Sequence, residues 1–306
     1  MRAGEDTFPS GYVDELKRKL SIMSLQQFKR KKDSQPFLPV DTLDKLNVLF
    51  KEKRWPIEEG LEWSVFERYC RTLLQLNTNQ QQFLIKLSYN FLHIPQKDYL
   101  SNLLVPLRKL RRDMGNKRIV FAACLTEDEV SCAKSALPVL YQIKGTTIRQ
   151  HINLNPYVVV ENIQKLGSYY NDKSVIVLVD DFIGSGETAT KAIGYVHKLC
   201  PDMKDNSQLV VLGIVAMQQG VDALTSVGVL TYSAVVRKRG ISEELPDSEI
   251  ATSTAMMKEI EKNMTKLNDK FRFGYNQSEA LVCMERCPNN TFPIYWLPKR
   301  DAPYER

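Results

Sequence analysis

The segment from Val175 to Thr188 limits the fold more than any other part of the chain. Val175-Ile176-Val177-Leu178-Val179 is an unbroken, mostly β-branched run, the pattern of a strand covered on both faces, as in a parallel sheet. It runs into Asp180-Asp181, then Gly184-Ser185-Gly186-Glu187-Thr188, then Ala189, Ala192, Ile193 and Val196 at helical spacing. A strand–loop–helix unit of this kind belongs to an open α/β sheet, where ligands collect at the ends of the strands. Small residues let the backbone wrap an anion, successive amides and the helix N-terminus supply a positive field, and the hydroxyls of Ser185 and Thr188 add donors. Two adjacent carboxylates before such a cradle repel each other unless they hold something. Vicinal hydroxyls, as on a ribose, meet that need, because ionised carboxylates only accept hydrogen bonds.

The surrounding sequence repeats the alternation. Ile119–Cys124, Leu137–Ile143, Leu209–Ala216 and Val229–Val236 read as short apolar strands, the last two of the doubly covered type. Lys144 to Asn155 reads as a polar loop, and Val160, Ile163 and Leu166 as a helical face. The fold class that follows is a doubly wound, mainly parallel α/β sheet.

Before residue 118 the pattern is helical. Tyr12, Val13, Leu16, Leu20 and Met23 recur at helical spacing ahead of Lys29-Arg30-Lys31-Lys32. Ser64-Val65-Phe66-Glu67 has the form of a capping box for a helix burying Phe66, Tyr69, Cys70, Leu73 and Leu74. Thr78-Asn79-Gln80-Gln81 reads as a similar start for a helix with Phe83, Leu84, Leu87 and Phe91. Leu100, Leu103, Leu104, Leu107 and Leu110 mark a further helix containing Pro106. Charge divides in the same place: residues 1–118 carry 22 Lys/Arg against 14 Asp/Glu, and residues 119–306 carry 20 against 22. The expected domains are therefore a basic all-helical module, 1–117, and an α/β domain, 118–306. The cluster Arg108, Lys109, Arg111, Arg112, Lys117 and Arg118 suits phosphates of a nucleic acid or a solvated helix end.

No apolar stretch is long enough to span a membrane. The first residues lack a secretory core. Six scattered cysteines without a CxxC pair, with three histidines, argue against a disulfide framework or zinc site and for reduced thiols in a cytoplasm. Cys283 and Cys287 read as buried strand residues. Met256, Met257, Ile260 and Met264 read as a buried helix face, and His197 as an exposed helix residue.

The segment VIVLVDDFIGSGET resembles the phosphoribosyl-pyrophosphate motif of type I phosphoribosyltransferases. The resemblance implies that Asp180 and Asp181 bind the ribose hydroxyls and that Gly184, Ser185, Gly186, Glu187 and Thr188 hold the 5′-phosphate. Two positions depart from the pattern: Ser185 stands for a Thr, and Glu187 for a Gly. The latter requires its side chain to point to solvent while its amide faces the phosphate. Together with VVLGIVAMQQG and PNNTFPIYW (Pro288–Trp296), the chain resembles the phosphoribosyltransferase-like effectors of prokaryotic conflict systems, found beside retron reverse transcriptases in anti-phage loci.

That resemblance implies an effector that binds phosphoribosyl pyrophosphate or a nucleotide and transfers or cleaves at C1′. Mg²⁺ is then the cofactor, reaching Asp180 and Asp181 through the substrate, and a reverse transcriptase with a DNA–RNA hybrid molecule is a candidate partner. A homo-oligomer is also a candidate state. Enzymes of this fold carry a pyrophosphate loop after the first strand, with glycines and a basic residue. Here that place reads Leu125-Thr126-Glu127-Asp128-Glu129-Val130-Ser131, leaving Lys134 and Ser135 for the anion. The alternative is a non-catalytic ribose-phosphate sensor and nucleic-acid-binding regulator. Further candidates are Arg149 and His151 on a flap, Arg237-Lys238-Arg239 at the ligand edge, and Asn289, Asn290 and Thr291 for a base edge. Each of these three groups also reads as ordinary surface loop, strand tail or turn.

Overall fold

The computed structural model describes residues 38–57, 64–129, 135–297 and 302–304. The expected helix over Tyr12–Met23, the run Lys29–Lys32 and the candidate Lys134 lie outside them. Pro39–Arg306 forms one compact unit.

Three helices open it: α1 (Val40–Lys53), α2 (Val65–Leu74) and α3 (Thr78–Ser88). Ser64 caps α2 as expected, its Oγ accepting from the Glu67 amide at 3.1 Å, while the Glu67 carboxylate pairs with Arg71 at 2.7 Å. The cap of α3 lies one residue before the expected Thr78. Asn77 and Gln80 exchange side-chain to backbone bonds of 3.0 and 3.1 Å. Gln81 instead turns inward and donates to the carbonyls of Leu73 and Leu76, both at 3.0 Å, tying α3 to the end of α2 and the turn after it.

A short strand, β1 (Leu92–His93), leads to α4 (Tyr99–Met114), which contains Pro106 and buries Leu103, Leu107 and Leu110 completely. Trp55, Tyr69, Phe91, Tyr295 and Tyr304 pack as an aromatic cluster, with Phe91 stacked on Tyr304 at 4.8 Å.

The α/β part comprises β2 (Arg118–Ala123), α5 (Ala136–Lys144), α6 (Thr146–His151), β3 (Tyr157–Val160), β4 (Ser174–Ile183), α7 (Glu187–Leu199), β5 (Leu209–Met217), α8 (Gln218–Ser226) and β6 (Leu230–Arg237). The five strands form one all-parallel sheet in the order β3-β2-β4-β5-β6. Helix α4 packs on β5 and β6 and against α5 and α6, while α7 packs with α8. Val175 to Val179 of β4 and every residue of β5 are buried, as the unbroken apolar runs require. After β6 come α9 (Asp247–Asn263) and β7 (Val282–Cys283), which pairs in parallel with β1.

Four expectations about elements are corrected. Leu137–Ile143 is helix, because its buried residues Ala136, Val139, Leu140 and Ile143 recur at helical and not strand spacing. The expected loop over 144–155 contains α6. Val160 ends the edge strand β3, and Ile163 and Leu166 lie in a 3-10 turn. Strand β6 is an edge strand with Leu230 and Val236 exposed, so it is not covered on both faces. In the expected helix face of α9, Met257 and Ile260 are buried and Met256 and Met264 half-buried.

Two members of the basic cluster hold the chain together. Arg111 donates to the carbonyls of Leu154 (2.7 Å), Asn155 (3.2 Å) and Lys117 (2.8 Å), and Arg118 to that of Tyr169 at 3.1 Å.

Candidate active site

Counted in chain order, the five strands run 2-1-3-4-5, and the order reverses between β2 and β4. A crevice opens at such a reversal, at the carboxyl ends of the strands. Here β4 outruns β2. Their last pair is Ala123 with Val179, and the Cys124 amide then donates to the Val179 carbonyl at 2.9 Å. Asp180 and Asp181 therefore emerge past the end of β2 and line a cleft of about 770 Å³. Cys124, Leu125 and Ser135 form one wall, residues 180–189 the floor, and Lys270, Phe271, Tyr275 and residues 284–290 a hood.

The two acids are held differently. Asp181 is 7% exposed, and its Oδ2 accepts a 2.7 Å hydrogen bond from the Tyr99 hydroxyl. Asp180 Oδ1 accepts from the Asp181 amide at 2.9 Å and also bonds Ser135. Burial pushes the Asp181 carboxyl up to about 6, against the pull of the bonds from Tyr99 and Asp180. Burial, and then the Asp181 charge, raises Asp180 well above the usual carboxylate range. Removing carboxylates from water disfavours their charge, and a like charge adds to that. The pair thus favours hydroxyl donors or a cation.

The loop after the acids has the small residues its shape demands. Gly186 has φ +83°, a left-handed conformation that costs a side-chain-bearing residue energy. At Gly184 a Cβ would lie 2.2 Å from Asn290 Oδ1. Ser185 is half-buried and Thr188 exposed. The amides of this loop open α7.

The Glu187 side chain is partly exposed, and it is also engaged by the hood. Its carboxylate binds Lys191 at 2.6 Å, the Tyr275 hydroxyl at 2.7 Å and Asn276 Nδ2 at 3.2 Å. The bonds from Lys191 and Tyr275 hold it down to about 2. Where the motif has glycine, this chain places a fixed negative charge that straps the hood to the start of α7.

Asn290 is buried and donates to Ser278 Oγ at 2.8 Å and the Tyr275 carbonyl at 3.3 Å. The carbonyl of Asn289 accepts from the Tyr275 amide at 2.8 Å. Both line the cleft, but the amide hydrogens of Asn290 serve the hood itself. Thr291 Oγ1 is likewise used internally, donating to the Val282 carbonyl at 2.5 Å.

Other candidates lie elsewhere. Arg149 donates to the Tyr157 hydroxyl at 2.6 Å from α6, and neither it nor His151 lines the cleft. Arg237 donates to the Asn90 carbonyl at 2.6 Å and lies 3.7 Å from Glu244. Beyond the expected set, the structure brings in Tyr99, Lys191, Lys270, Glu285 and Arg286. Their basic groups come from α7 and the hood, whereas Glu127, in the acidic segment after β2, pairs with Lys198. Among the described residues no group of three or more His, Cys, Asp or Glu is arranged to hold a metal ion.

A family model described as PRTase-CE matches residues 145–306. No curated protein matches the chain. Among solved structures, the chain is similar to Helicobacter pylori xanthine-guanine-hypoxanthine phosphoribosyltransferase, at 11% identity over 48% of this chain and 84% of that one, TM-score 0.29. It is also similar to Mycobacterium tuberculosis orotate phosphoribosyltransferase in complex with inorganic phosphate, at 19% identity over 44% of this chain and 70% of that one, TM-score 0.27. A third is the AQ2163 protein from Aquifex aeolicus, at 10% identity over 62% and 88%, TM-score 0.29.

Proposed function

The chain belongs to the PRTase-CE family, with a type I phosphoribosyltransferase-like fold, and from that premise we propose that its cleft binds the ribose 5-phosphate part of phosphoribosyl pyrophosphate or a nucleotide and acts at C1′. The observation that carries this reading is the placement of Asp180 and Asp181 beyond the end of β2, directly before the Gly184–Thr188 turn, in one cleft. The carboxylates accept from the ribose hydroxyls, and the loop amides with Ser185 and Thr188 donate to the phosphate. Ser135, at the start of α5 and bonded to Asp180, is assigned to the leaving group, together with its sequence neighbour Lys134.

Transfer breaks the bond from C1′ to the leaving group, which departs with the electron pair, while the ring carries positive charge. Holding both reactants in place is the protein's main contribution, and the hood over the cleft limits water. Mg²⁺ fits as part of the substrate complex. The hydrogen bonds described for Asp180 and Asp181 come from hydroxyls, backbone and each other, and neither acid is paired with a Lys or Arg in them. When bound, the ion supplies charge neutralisation for pyrophosphate.

We place this activity in an anti-phage system of retron type, in the cytoplasm, with residues 1–117 contacting a reverse transcriptase and its DNA–RNA hybrid and with self-association possible in the assembly. The basic balance of that region supports the assignment. A second reading, a ribose-phosphate sensor without turnover, is favoured by the acidic Glu127–Glu129 segment where pyrophosphate would depart.

The double variant Asp180→Asn, Asp181→Asn is expected to abolish binding of phosphoribosyl pyrophosphate in calorimetry and to leave circular dichroism unchanged. Unaltered binding would sink the assignment. Product formation from a nucleotide supports the enzyme, and binding without turnover supports the sensor.

A further inference from the structure

Tyr99 belongs to α4, ahead of the α/β part, yet it lines the cleft and is 1% exposed. Its hydroxyl is fully engaged. It donates to Asp181 Oδ2 at 2.7 Å and accepts from the Glu285 amide at 3.1 Å. One oxygen thus joins the start of α4, the end of β4 and the hood loop that carries Arg286. Burial and the Asp181 charge both raise the phenol's affinity for its proton, so it stays a donor. The two bonds fix its orientation, since a hydroxyl that accepts from one side offers its proton to the other.

A carboxylate at the end of a strand can rotate about χ2, a broad torsion. With Oδ2 taken by Tyr99, Asp181 is held in one orientation where it lines the cleft. From this geometry we infer that Tyr99 is a positioning residue for the ribose, aiming Asp181 at a ribose hydroxyl from a helix outside the α/β sheet. The inference rests on the ribose-phosphate reading and adds to it. The helical part of the chain completes the site, and recognition of the sugar depends on it more than recognition of the phosphate does. Nothing in the Gly184–Thr188 loop touches Tyr99 in the hydrogen bonds described, so the two halves of the ligand are separable by substitution.

The test uses the full chain and Tyr99→Phe, which keeps the ring. Affinities for ribose 5-phosphate and for its 2-deoxy and 3-deoxy analogues are measured by calorimetry. Removing the hydroxyl is expected to reduce the preference for ribose 5-phosphate over one of the deoxy analogues by about tenfold, the worth of one buried hydrogen bond to a charged group. Affinity for that analogue, which lacks the hydroxyl Asp181 meets, changes little, while the other deoxy analogue weakens in step with ribose 5-phosphate. Parallel weakening of all three ligands means a merely structural role and overturns the inference, as does an unchanged preference.

A second measurement needs no ligand. In a stability cycle of Tyr99→Phe with Asp181→Ala, contact across the 2.7 Å bond predicts non-additive effects of about tenfold in the unfolding constant. Additive effects would mean that Tyr99 does not hold the acid. If the unsubstituted protein shows no preference for ribose 5-phosphate at all, the ribose reading falls, and the cycle alone then decides whether Tyr99 positions Asp181.

Discussion

That Asp180, Asp181, Gly184 and Gly186 share one cleft was legible in the sequence, because they lie close together at the end of one strand and the start of one helix. Tyr99 was not: it lies 82 residues from Asp181, and locally it is one more apolar position of a helix. Glu187 was legible as a departure but not as a strap, since its partners Tyr275 and Asn276 lie nearly ninety residues on. Two outcomes belong at this scale. Gly184→Ala would drive a Cβ to 2.2 Å from Asn290 Oδ1, and overpacking of this kind costs about 1–3 kcal/mol. Thermal denaturation should show the loss, together with weaker phosphate binding. Binding that uses the ionised Asp181 should also weaken as pH falls through about 6, the value to which burial raises that carboxyl. Calorimetry at pH 5 and pH 8 checks this, and equal affinity at both would count against a role for its charge.

Among the elements, apolar runs in β4 and β5 gave their strands away, because both faces are covered and every residue type there suits that setting. Leu137–Ile143 misled for the same reason: a short apolar run fits a strand or a buried helix, and only its helical burial spacing decides. The end of α9 carries a testable device. Glu261 is fully buried, and its carboxylate accepts from the Phe273 amide at 2.9 and 3.2 Å. Burial raises its carboxyl to about 7, partly offset by that amide and Arg272. A folded-state value above the unfolded one means that this group favours folding at low pH and that the benefit fades as pH rises towards and through about 7. Glu261→Gln should therefore stabilise the protein at pH 8, by on the order of 1–3 kcal/mol, and have little effect at pH 4. Denaturant titrations at the two values measure the difference.

For the molecule as a whole, the change of pattern near residue 118 was visible, but the way α4 joins the sheet was not. Leu103, Leu107 and Leu110 are completely buried, and α4 packs on β5 and β6. Those contacts form between segments far apart in sequence, which periodicity does not report. A fragment of residues 118–306 would expose that surface and lose Tyr99, so it should aggregate or lack a cooperative transition, whereas residues 39–306 should unfold in a single one. Solubility and calorimetric melting of the two fragments distinguish these outcomes.

The parallel pairing of Leu92 with Val282 and His93 with Cys283 also sets an order in time. As the chain leaves the ribosome, β1 and the start of α4 appear well before the strand that joins them, with almost the whole α/β sheet made in between. Contacts of such long sequence separation form late. The nascent protein can assemble its sheet and glycine loop early, while the pairing that brings the hood beside Tyr99 waits for β7. The cleft is then completed only once β7 has been made, after every strand of the large sheet.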